Sequence, residues 1–404
     1  MKKHLVIVCG ILYPNPSPTG LCALRYASLL TDFYDIEFIA LSSNGKEEDD
    51  VFDVFGVHTL SSRRMTLENS CKSFVKDLVH LVGSIQLKLS LMGNLGWFVN
   101  AAFKKLEGIQ QKREIDAILT VCSPLQAHIA GARFKDAHPA IRFCAYTVDP
   151  FASSSRVVPF FRQFKDIVSL ERDICSKADC LFLSEEAYLN RQDVYGVITN
   201  KRCLPYLLPS FETGDGTLFD KQHIHCVYAG SFYRDIRNPE FMMKVFSILS
   251  RRDIILHLYS SGCDDMVSHY SRVSSNIVSH GYVSQKELRE VYSSCDFLIG
   301  VGNVVKDFLP SKTFEYISIR KPIVFFNPKG ANNPVLAKYP HALQISEDEQ
   351  VSQAAELFIA FVESHKGTVI LEEELGRIYP NNTGTHIRGI LLSGLNNERY
   401  GQMV

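Results

Sequence analysis

The chain has 404 residues, 46% hydrophobic and 22% charged, a composition typical of a globular protein with room for about two domains. Its formal net charge of -1 gives no general attraction for nucleic acid, so we expect no nucleic-acid partner. The eleven cysteines form no C-x-x-C pair and no zinc-like pattern with histidine, which argues against a zinc ribbon and indicates a reducing, cytoplasmic setting.

The N-terminal apolar run, Leu5 to Leu12, resembles a signal peptide but is short and is followed directly by Tyr13-Pro14-Asn15-Pro16. Because no small-residue cleavage site follows it, we interpret the run as a first strand. No apolar run reaches the roughly 18 residues of a membrane-spanning helix, so we expect none.

The first half of the chain alternates apolar strands with helices, of which the first is expected from Leu21 to Leu30. Continuous apolar strands between helices predict a parallel sheet covered on both faces. We assign residues 1–205 to this first Rossmann-like domain and expect its ligand beyond the carboxyl ends of the strands. The predicted strands are Leu5 to Cys9, Ile36 to Leu41, Ala117 to Cys122, Ile141 to Val148 and Cys180 to Ser184.

Residues 61–113 interrupt this alternation with nine basic and only three acidic side chains, and they carry the only tryptophan, Trp97. One interpretation is a pair of amphipathic helices packed on the sheet. The other is a basic, aromatic surface that makes peripheral contact with an anionic membrane. On this second interpretation the protein would work at the inner face of that membrane.

A stretch rich in proline and glycine, Pro205 to Gln222, has the composition of an inter-domain linker. A second α/β series follows, which we assign to residues 206–380, and residues 381–404 are expected to form a helix that packs back on the first domain. The predicted elements are the strands His225 to Ala229, Ile254 to Tyr259, Asn276 to Ser279, Phe297 to Val301 and Ile323 to Phe326, with helices from Pro239 to Leu249 and from Ser284 to Ser293.

A short helix is expected between the last two of these strands, with Ser311 as its N-cap and Lys312 at its first position. Glu315 falls one residue past the capping-box position, so its carboxylate is not needed to close the helix start. A helix N-terminus and a lysine suit a phosphate, and a carboxylate suits the two hydroxyls of a ribose. The sequence therefore predicts a nucleotide pocket here.

The sequence Pro310-Ser311-Lys312-x-x-Glu315-Tyr316, followed by Lys321-Pro322-Ile323-Val324, resembles the donor site of glycosyltransferase-B fold enzymes, especially those of family 4. The resemblance implies two Rossmann-like doubly wound α/β domains that face each other across a cleft. It also implies that Glu315 binds the ribose and that residues at the helix start bind the diphosphate. Many members carry a second glutamate eight positions upstream, where this chain has Asp307.

The resemblance extends to the loop after strand His225 to Ala229, where Gly230 and Ser231 permit close approach of a ligand and where Arg234 or Arg237 would hold the diphosphate. Which of the two arginines does so stays open. In similar enzymes the residues after Gly281 meet the nucleobase, so Tyr282 is either a stacking platform for the base or an ordinary rim tyrosine.

Asp149 follows the predicted strand Ile141 to Val148 and precedes Pro150, at a place where similar enzymes put a polar residue in the cleft. Its other interpretation is a loop aspartate that caps the following turn. The residues that we expect to be catalytic are Asp149, Lys312 and Arg234.

These features predict a hexosyltransferase that moves a sugar from a nucleotide-diphosphate donor to a saccharide or lipid-linked saccharide in cell-surface polysaccharide or glycolipid synthesis. The resemblance implies retention of anomeric configuration. The chain has no D-x-D motif, and we expect no metal and no cofactor besides the donor substrate. Two alternatives remain open: a nucleotide-sugar 2-epimerase of the same fold, and a non-catalytic binding protein.

Overall fold

The computed structural model describes residues 2–13, 16–42, 55–60, 96–153, 164–210, 214–304 and 312–398. The chain divides into two compact units. Met1–Leu207 and Gly384–Val404 together form one, here called the N-terminal unit, and Leu208–Thr383 form the other, the C-terminal unit.

The N-terminal unit is built on a sheet in which the described residues form seven strands in the order β3-β2-β1-β4-β5-β6-β7, all paired in parallel. All six residues of β4 are buried, as expected for a central strand with both faces covered. The strands are β1 (Lys3–Tyr13), β2 (Tyr34–Ser42), β3 (Gly56–Leu60), β4 (Ala117–Cys122), β5 (Arg142–Thr147), β6 (Cys180–Leu183) and β7 (Lys201–Cys203).

Helices cover both faces of this sheet. They are α1 (Pro18–Ser28), α2 (Gly96–Lys112), α3 (Leu125–Ala137), α4 (Phe164–Cys175), α5 (Glu185–Asn190) and α6 (Gln192–Tyr195). The first helix begins three residues before the predicted Leu21, because Ser17 accepts a hydrogen bond from the backbone N–H of Gly20 (3.1 Å) and Pro18 fits the first helical position. Pro18, Thr19 and Gly20 therefore form the first turn of α1.

Helix α2 is the described part of the basic segment. It buries Phe98, Ala102 and Leu106 at helical spacing, and Trp97 packs against the same core. These apolar residues thus belong to a packed helix, whereas residues 61–95 lie outside the described part of the chain.

The C-terminal unit contains a second parallel sheet, of six described strands in the order β10-β9-β8-β11-β12-β13. The central strand β8 continues to Ser231, beyond the predicted end at Ala229, because Gly230 and Ser231 still pair with Ser260 and Ser261 of β9. The strands are β8 (Ile224–Ser231), β9 (Ile254–Ser261), β10 (Ile277–Ser279), β11 (Phe297–Val301), β12 (Ile323–Asn327) and β13 (Ala342–Ser346).

Two apolar cores lie on the two faces of this sheet, one below α7 and α11 and the other below α9, α10 and α12. The two parallel sheets and their helices confirm the predicted fold class of two Rossmann-like doubly wound α/β domains. The helices are α7 (Glu240–Ile248), α8 (Asp264–Val273), α9 (Gln285–Ser294), α10 (Lys312–Ile319), α11 (Val351–His365) and α12 (Glu372–Ile378).

The last helix, α13 (Gly384–Leu395), belongs to the N-terminal unit. Arg142 at the start of β5 donates two hydrogen bonds to the carbonyl of Gly394, at 3.0 and 2.8 Å. A Cβ atom on Gly394 would lie 2.3 Å from the ring of Phe182, so the helix backbone packs directly on β6. Among the helices in the described part of the chain, none is long and apolar enough to cross a membrane.

Candidate nucleotide site

A pocket lies in the C-terminal unit at the carboxyl ends of β8 and β11, where the strand order reverses direction. In open parallel sheets this topological switch point is where ligands bind, because the loops from the two neighbouring strands leave on opposite faces. The pocket is lined by Tyr228, Ala229, Arg237, Gly300, Val301, Lys312, Thr313, Tyr316 and Phe325.

Helix α10 begins at this pocket with Lys312, as predicted, and its fourth residue is Glu315. The Lys312 ammonium donates to Oε1 of Glu315 at 2.6 Å, and it also lies 5.5 Å from the centre of the Tyr292 ring. The Glu315 side chain is only 8% exposed and that of Lys312 is 23% exposed. A largely buried ion pair therefore stands at the edge of the pocket, with a cation–π contact that steadies the lysine.

The carboxylate of Glu315 has a second neighbour in Tyr292. Burial, and then the charge of Glu315, raise the pKa of Tyr292 well above its usual value. The phenol thus stays protonated beside the carboxylate, and the local negative charge rests on Glu315.

Two contacts fix the position of α10 against the sheet. The Tyr316 hydroxyl accepts a hydrogen bond from the backbone N–H of Ala229 at 3.0 Å, which ties the helix to the end of β8. The Asn333 side chain donates to Thr313 Oγ1 at 3.0 Å. The helix start is thus held from both sides, as a preorganised binding site requires.

The glycine at position 300 allows this close packing. A Cβ atom there would lie 2.2 Å from Cδ2 of Phe325, so only glycine lets β11 approach the neighbouring ring at the pocket wall.

The structure places the two candidate arginines differently. Arg237 lines the pocket, where its guanidinium donates to Asn303 Oδ1 at 3.0 Å and to the carbonyl of Ser231 at 3.4 Å. Arg234 is 56% exposed and is paired with Asp265 of α8, so it does not line the pocket. Of the two, Arg237 has the geometry for a bound diphosphate.

The other residues predicted for the donor site lie close by or outside the described chain. Gly230 and Ser231 end β8, and Ser231 Oγ lies 2.9 Å from Ser261 Oγ on β9. Tyr282 follows Gly281, which has a φ of +73°, and its side chain is 64% exposed. Asp307 and Ser311 lie outside the described residues.

In the N-terminal unit, Asp149 follows β5 at the carboxyl edge of the sheet and is exposed. Partial desolvation by the surrounding protein raises the pKa of its carboxyl. The turn after it is anchored by Glu171, a fully buried residue that accepts hydrogen bonds from the backbone N–H groups of Phe151 (2.9 Å) and Ala152 (2.8 Å). Glu171 thus acts as a positioning residue for this loop.

A second carboxyl group on the same edge, Glu186, was not singled out from the sequence. Ser184 donates its backbone N–H to the carbonyl of Thr147 and its hydroxyl to that of Val148, at 3.1 and 2.7 Å, so the N-cap of α5 is tied to the end of β5 and the loop after it. Among the residues that the structure describes, Glu186 Oε2 has no hydrogen-bond partner, and burial raises the pKa of this carboxyl to about 7.

Sequence reasoning also missed Tyr228, Thr313 and Tyr292 as neighbours of the nucleotide pocket. The sequence pattern indicates that Tyr228 and Tyr292 are core residues, because they lie within an apolar strand and an amphipathic helix. Only their tertiary contacts bring them to Lys312 and Arg237.

Comparisons with known proteins locate the fold. No protein-family model matches the chain, and no curated protein matches it. Solved structures do match, including the sucrose-phosphate synthase of Thermosynechococcus elongatus, with 12% identity, a TM-score of 0.67 and coverage of 98% of each chain.

Two further structures match over nearly the same length. One is an α,α-trehalose-phosphate synthase (UDP-forming) from Burkholderia xenovorans in complex with glucose-6-phosphate, with 11% identity, a TM-score of 0.61, and coverage of 97% of this chain and 99% of that one. The other is the lipopolysaccharide outer core galactosyltransferase WaaB, with 8% identity, a TM-score of 0.57 and coverage of 97% and 99%. At such low identity these likenesses establish the fold, which is glycosyltransferase-B, as the sequence predicted.

Proposed function

We propose that the chain is a hexosyltransferase that transfers a sugar from a nucleotide-diphosphate donor to a saccharide acceptor. The observation that carries the proposal is the position of Lys312 and Arg237 in the lining of the pocket between β8 and β11, with Glu315 paired to Lys312. A cation pair suits a diphosphate, and a buried carboxylate suits the ribose hydroxyls, so the three side chains match two parts of one ligand.

The chemistry follows from this arrangement. Glycosyl transfer passes through an oxocarbenium-like transition state, in which the bond from the anomeric carbon to the diphosphate breaks and negative charge grows on the departing oxygen. Lys312 and Arg237 would stabilise that charge, and fixed cations of this kind do so without reorganisation during the reaction. On this proposal the nucleotide sugar is a substrate, and the reaction runs without a metal.

The acceptor side is assigned to the N-terminal unit. Asp149 lies on the loop after β5 and Glu186 lies in the first turn of α5, whose N-cap Ser184 is hydrogen-bonded to that loop. Carboxylates accept hydrogen bonds from sugar hydroxyls. We propose that they orient the acceptor hydroxyl that attacks the anomeric carbon. Retention of anomeric configuration belongs to the proposal through the resemblance to family 4.

The biological setting is proposed as cell-surface polysaccharide or glycolipid synthesis in the cytoplasm, at the inner face of the membrane. Two observations support it: the ten described cysteines are free, and one similar structure is a lipopolysaccharide galactosyltransferase. The basic segment 61–113 would supply a peripheral contact with anionic lipid.

A thermal-shift screen against nucleoside diphosphates and nucleotide sugars tests the donor proposal. We expect one nucleotide to raise the melting temperature and its sugar conjugate to be consumed only when an acceptor is present. Consumption of the nucleotide sugar without acceptor transfer would indicate the 2-epimerase instead. If a nucleotide stabilises the chain but no turnover occurs when saccharide or glycolipid acceptors are supplied, the chain is a non-catalytic binding protein.

A further inference from the structure

A cluster of potential metal ligands lies in the C-terminal unit at the opposite edge of the sheet from the pocket. Asp220, His223 and His225 lie on the segment that leads into β8 and on its second residue. The ligand atoms of the three side chains all lie within 4.8 Å of one another. This edge carries the amino end of β8, whereas the nucleotide pocket is at its carboxyl end.

We propose that this cluster is a binding site for a divalent transition metal of the zinc class. Around a tetrahedral zinc with ligands at about 2.0–2.1 Å, neighbouring ligand atoms are about 3.3 Å apart. Asp220 Oδ1 lies 2.9 Å from His223 Nδ1 and 3.8 Å from His225 Nε2, on either side of that spacing. Small side-chain movements therefore suffice to enclose an ion.

The ligands are already held in place. The backbone N–H groups of Gln222 and His223 donate to Asp220 Oδ1 at 2.8 and 3.0 Å, which fixes the carboxylate against the turn. The His225 side chain is only 4% exposed, while Asp220 and His223 are 52% and 38% exposed. One buried and two accessible ligands leave a coordination position open to solvent, where a water molecule completes the shell.

The outer side of His225 carries the contact that a metal-binding histidine needs. Its Nδ1 lies 2.9 Å from His257 Nε2, and His257 Nδ1 lies 2.9 Å from His280 Nε2. Phe219 stacks on the rings of His225 and His257, at 4.6 and 4.4 Å between centroids. A hydrogen bond on the far nitrogen fixes the orientation of a histidine ligand, and such partners typically contribute 10–100-fold in metal affinity.

The direction of this histidine chain depends on the metal. Without an ion, His225 Nε2–H donates to the backbone carbonyl of Asp220 at 3.1 Å, and Nδ1 then accepts from His257. With an ion on Nε2, Nδ1 carries the proton and donates to His257, which in turn donates to His280. Every ring keeps its hydrogen bonds in both states, so the fold accommodates the change without an orphaned nitrogen.

A bound metal would link the segment before β8, through Asp220 and His223, to the strand itself, through His225. The proposal of this metal site is independent of the proposed transferase activity. Carboxylate and imidazole ligands suit Zn²⁺, Co²⁺ and Ni²⁺ better than Mg²⁺ or Ca²⁺, which prefer oxygen ligands alone.

The test is a titration of the full, untagged chain with ZnCl₂ by calorimetry and with CoCl₂ by visible absorption. We expect about one site per chain and a tetrahedral Co²⁺ spectrum. Asp220→Asn and His223→Gln change exposed side chains and should each weaken binding at least tenfold. His257→Gln, which changes a residue that contacts His225 but is not itself a proposed metal ligand, should weaken it by about 10–100-fold.

The matched control is His269→Gln, which removes an exposed histidine on α8 and should bind as the wild type does. Zinc at about a hundredfold excess over its Kd should also raise the melting temperature of the wild type by about 5–10 °C, and that of His223→Gln much less. The proposal is wrong if micromolar metal does not bind the wild type. It is also wrong if the wild type and Asp220→Asn bind the metal equally well.

Discussion

Lys312 Nζ lies 2.6 Å from Glu315 Oε1, so the two side chains singled out from the sequence for a nucleotide are paired with each other. Their spacing of three residues places them on one face of α10. On the proposed function, a bound nucleotide takes the ammonium for its diphosphate and the carboxylate for its ribose. Binding therefore exchanges one internal ion pair for two contacts with the ligand.

Glu315→Gln should weaken nucleotide binding by roughly 1–3 kcal/mol, because the amide makes a weaker bond to the ribose hydroxyls than the carboxylate does. Calorimetric titration with the nucleoside diphosphate measures the change. Glu356→Gln, on the exposed face of α11, is the control and should bind normally. Unchanged affinity in Glu315→Gln would remove this residue from the site.

Lys312→Ala should reduce kcat by about 10²-fold or more and change the donor KM far less, since its charge matters most while the diphosphate departs. Steady-state kinetics with varied donor separates the two parameters, and Lys338→Ala at an exposed position serves as the control. If kcat and donor affinity fall by the same factor, Lys312 only anchors the ground state.

The two arginines make a matched pair. Arg237→Ala should weaken donor binding by roughly 1.5–3 kcal/mol, the range for hydrogen bonds to charged groups. Arg234→Ala removes only an exposed ion pair with Asp265 and should change binding by less than about 0.5 kcal/mol. Thermal melting of both variants verifies that the loop around Asn303 stays folded. If calorimetry showed a larger loss of donor affinity in Arg234→Ala than in Arg237→Ala, Arg234 would be the residue that binds the diphosphate.

Glu186 makes stability depend on pH. Its pKa is about 7 in the folded chain, above the ordinary value of 4.5, so the folded state binds the proton more tightly than the unfolded state. Stability contributed by this group is present at low pH and is lost as the pH rises between those two values. Glu186→Gln should therefore stabilise the chain at pH 8 by roughly 1–3 kcal/mol and have little effect below pH 4.5.

Urea unfolding of wild type and Glu186→Gln at the two pH values measures this difference. Glu349→Gln at an exposed position should show no comparable pH dependence. A Glu186→Gln effect of the same size at both pH values would mean that the amide acts through packing and not through the proton.

The proposed membrane contact predicts binding to anionic vesicles at low salt and release at high salt, because exposed charges are screened. Replacement of Lys104 and Lys105 of α2 by Glu should weaken co-sedimentation several-fold and leave nucleotide binding unchanged. The control is the replacement by Glu of Lys329 and Lys338, which are both exposed in the C-terminal unit. A wild type that stays in the supernatant at low salt contradicts the contact.

The central strands of the two sheets could be predicted because they are buried on both faces. β4 and β11 have the predicted bounds, and α10 begins at Lys312, since apolar runs and capping residues are local signals. The strands β3, β7 and β13 were missed. All three lie at sheet edges, where half-buried residues replace a continuous apolar run.

The site was harder to predict than the fold. Which arginine faces the pocket depends on Asp265, which is 31 residues from Arg234 in the chain, and sequence spacing carries no signal for such a pair. The raised pKa of Glu186 arises from burial that only the folded N-terminal unit creates. The roles of Asp307 and Ser311 stay predictions, because both lie outside the described residues.

The return of α13 to the N-terminal unit has a consequence for synthesis. A ribosome completes the strands of that unit long before it makes the helix that packs on β6, and the whole C-terminal unit is produced in the interval. Until then the ring of Phe182 and the guanidinium of Arg142 lack the backbone of Gly394. During this interval the nascent N-terminal unit exposes this surface to solvent. Such transient exposure favours aggregation, which chaperones prevent.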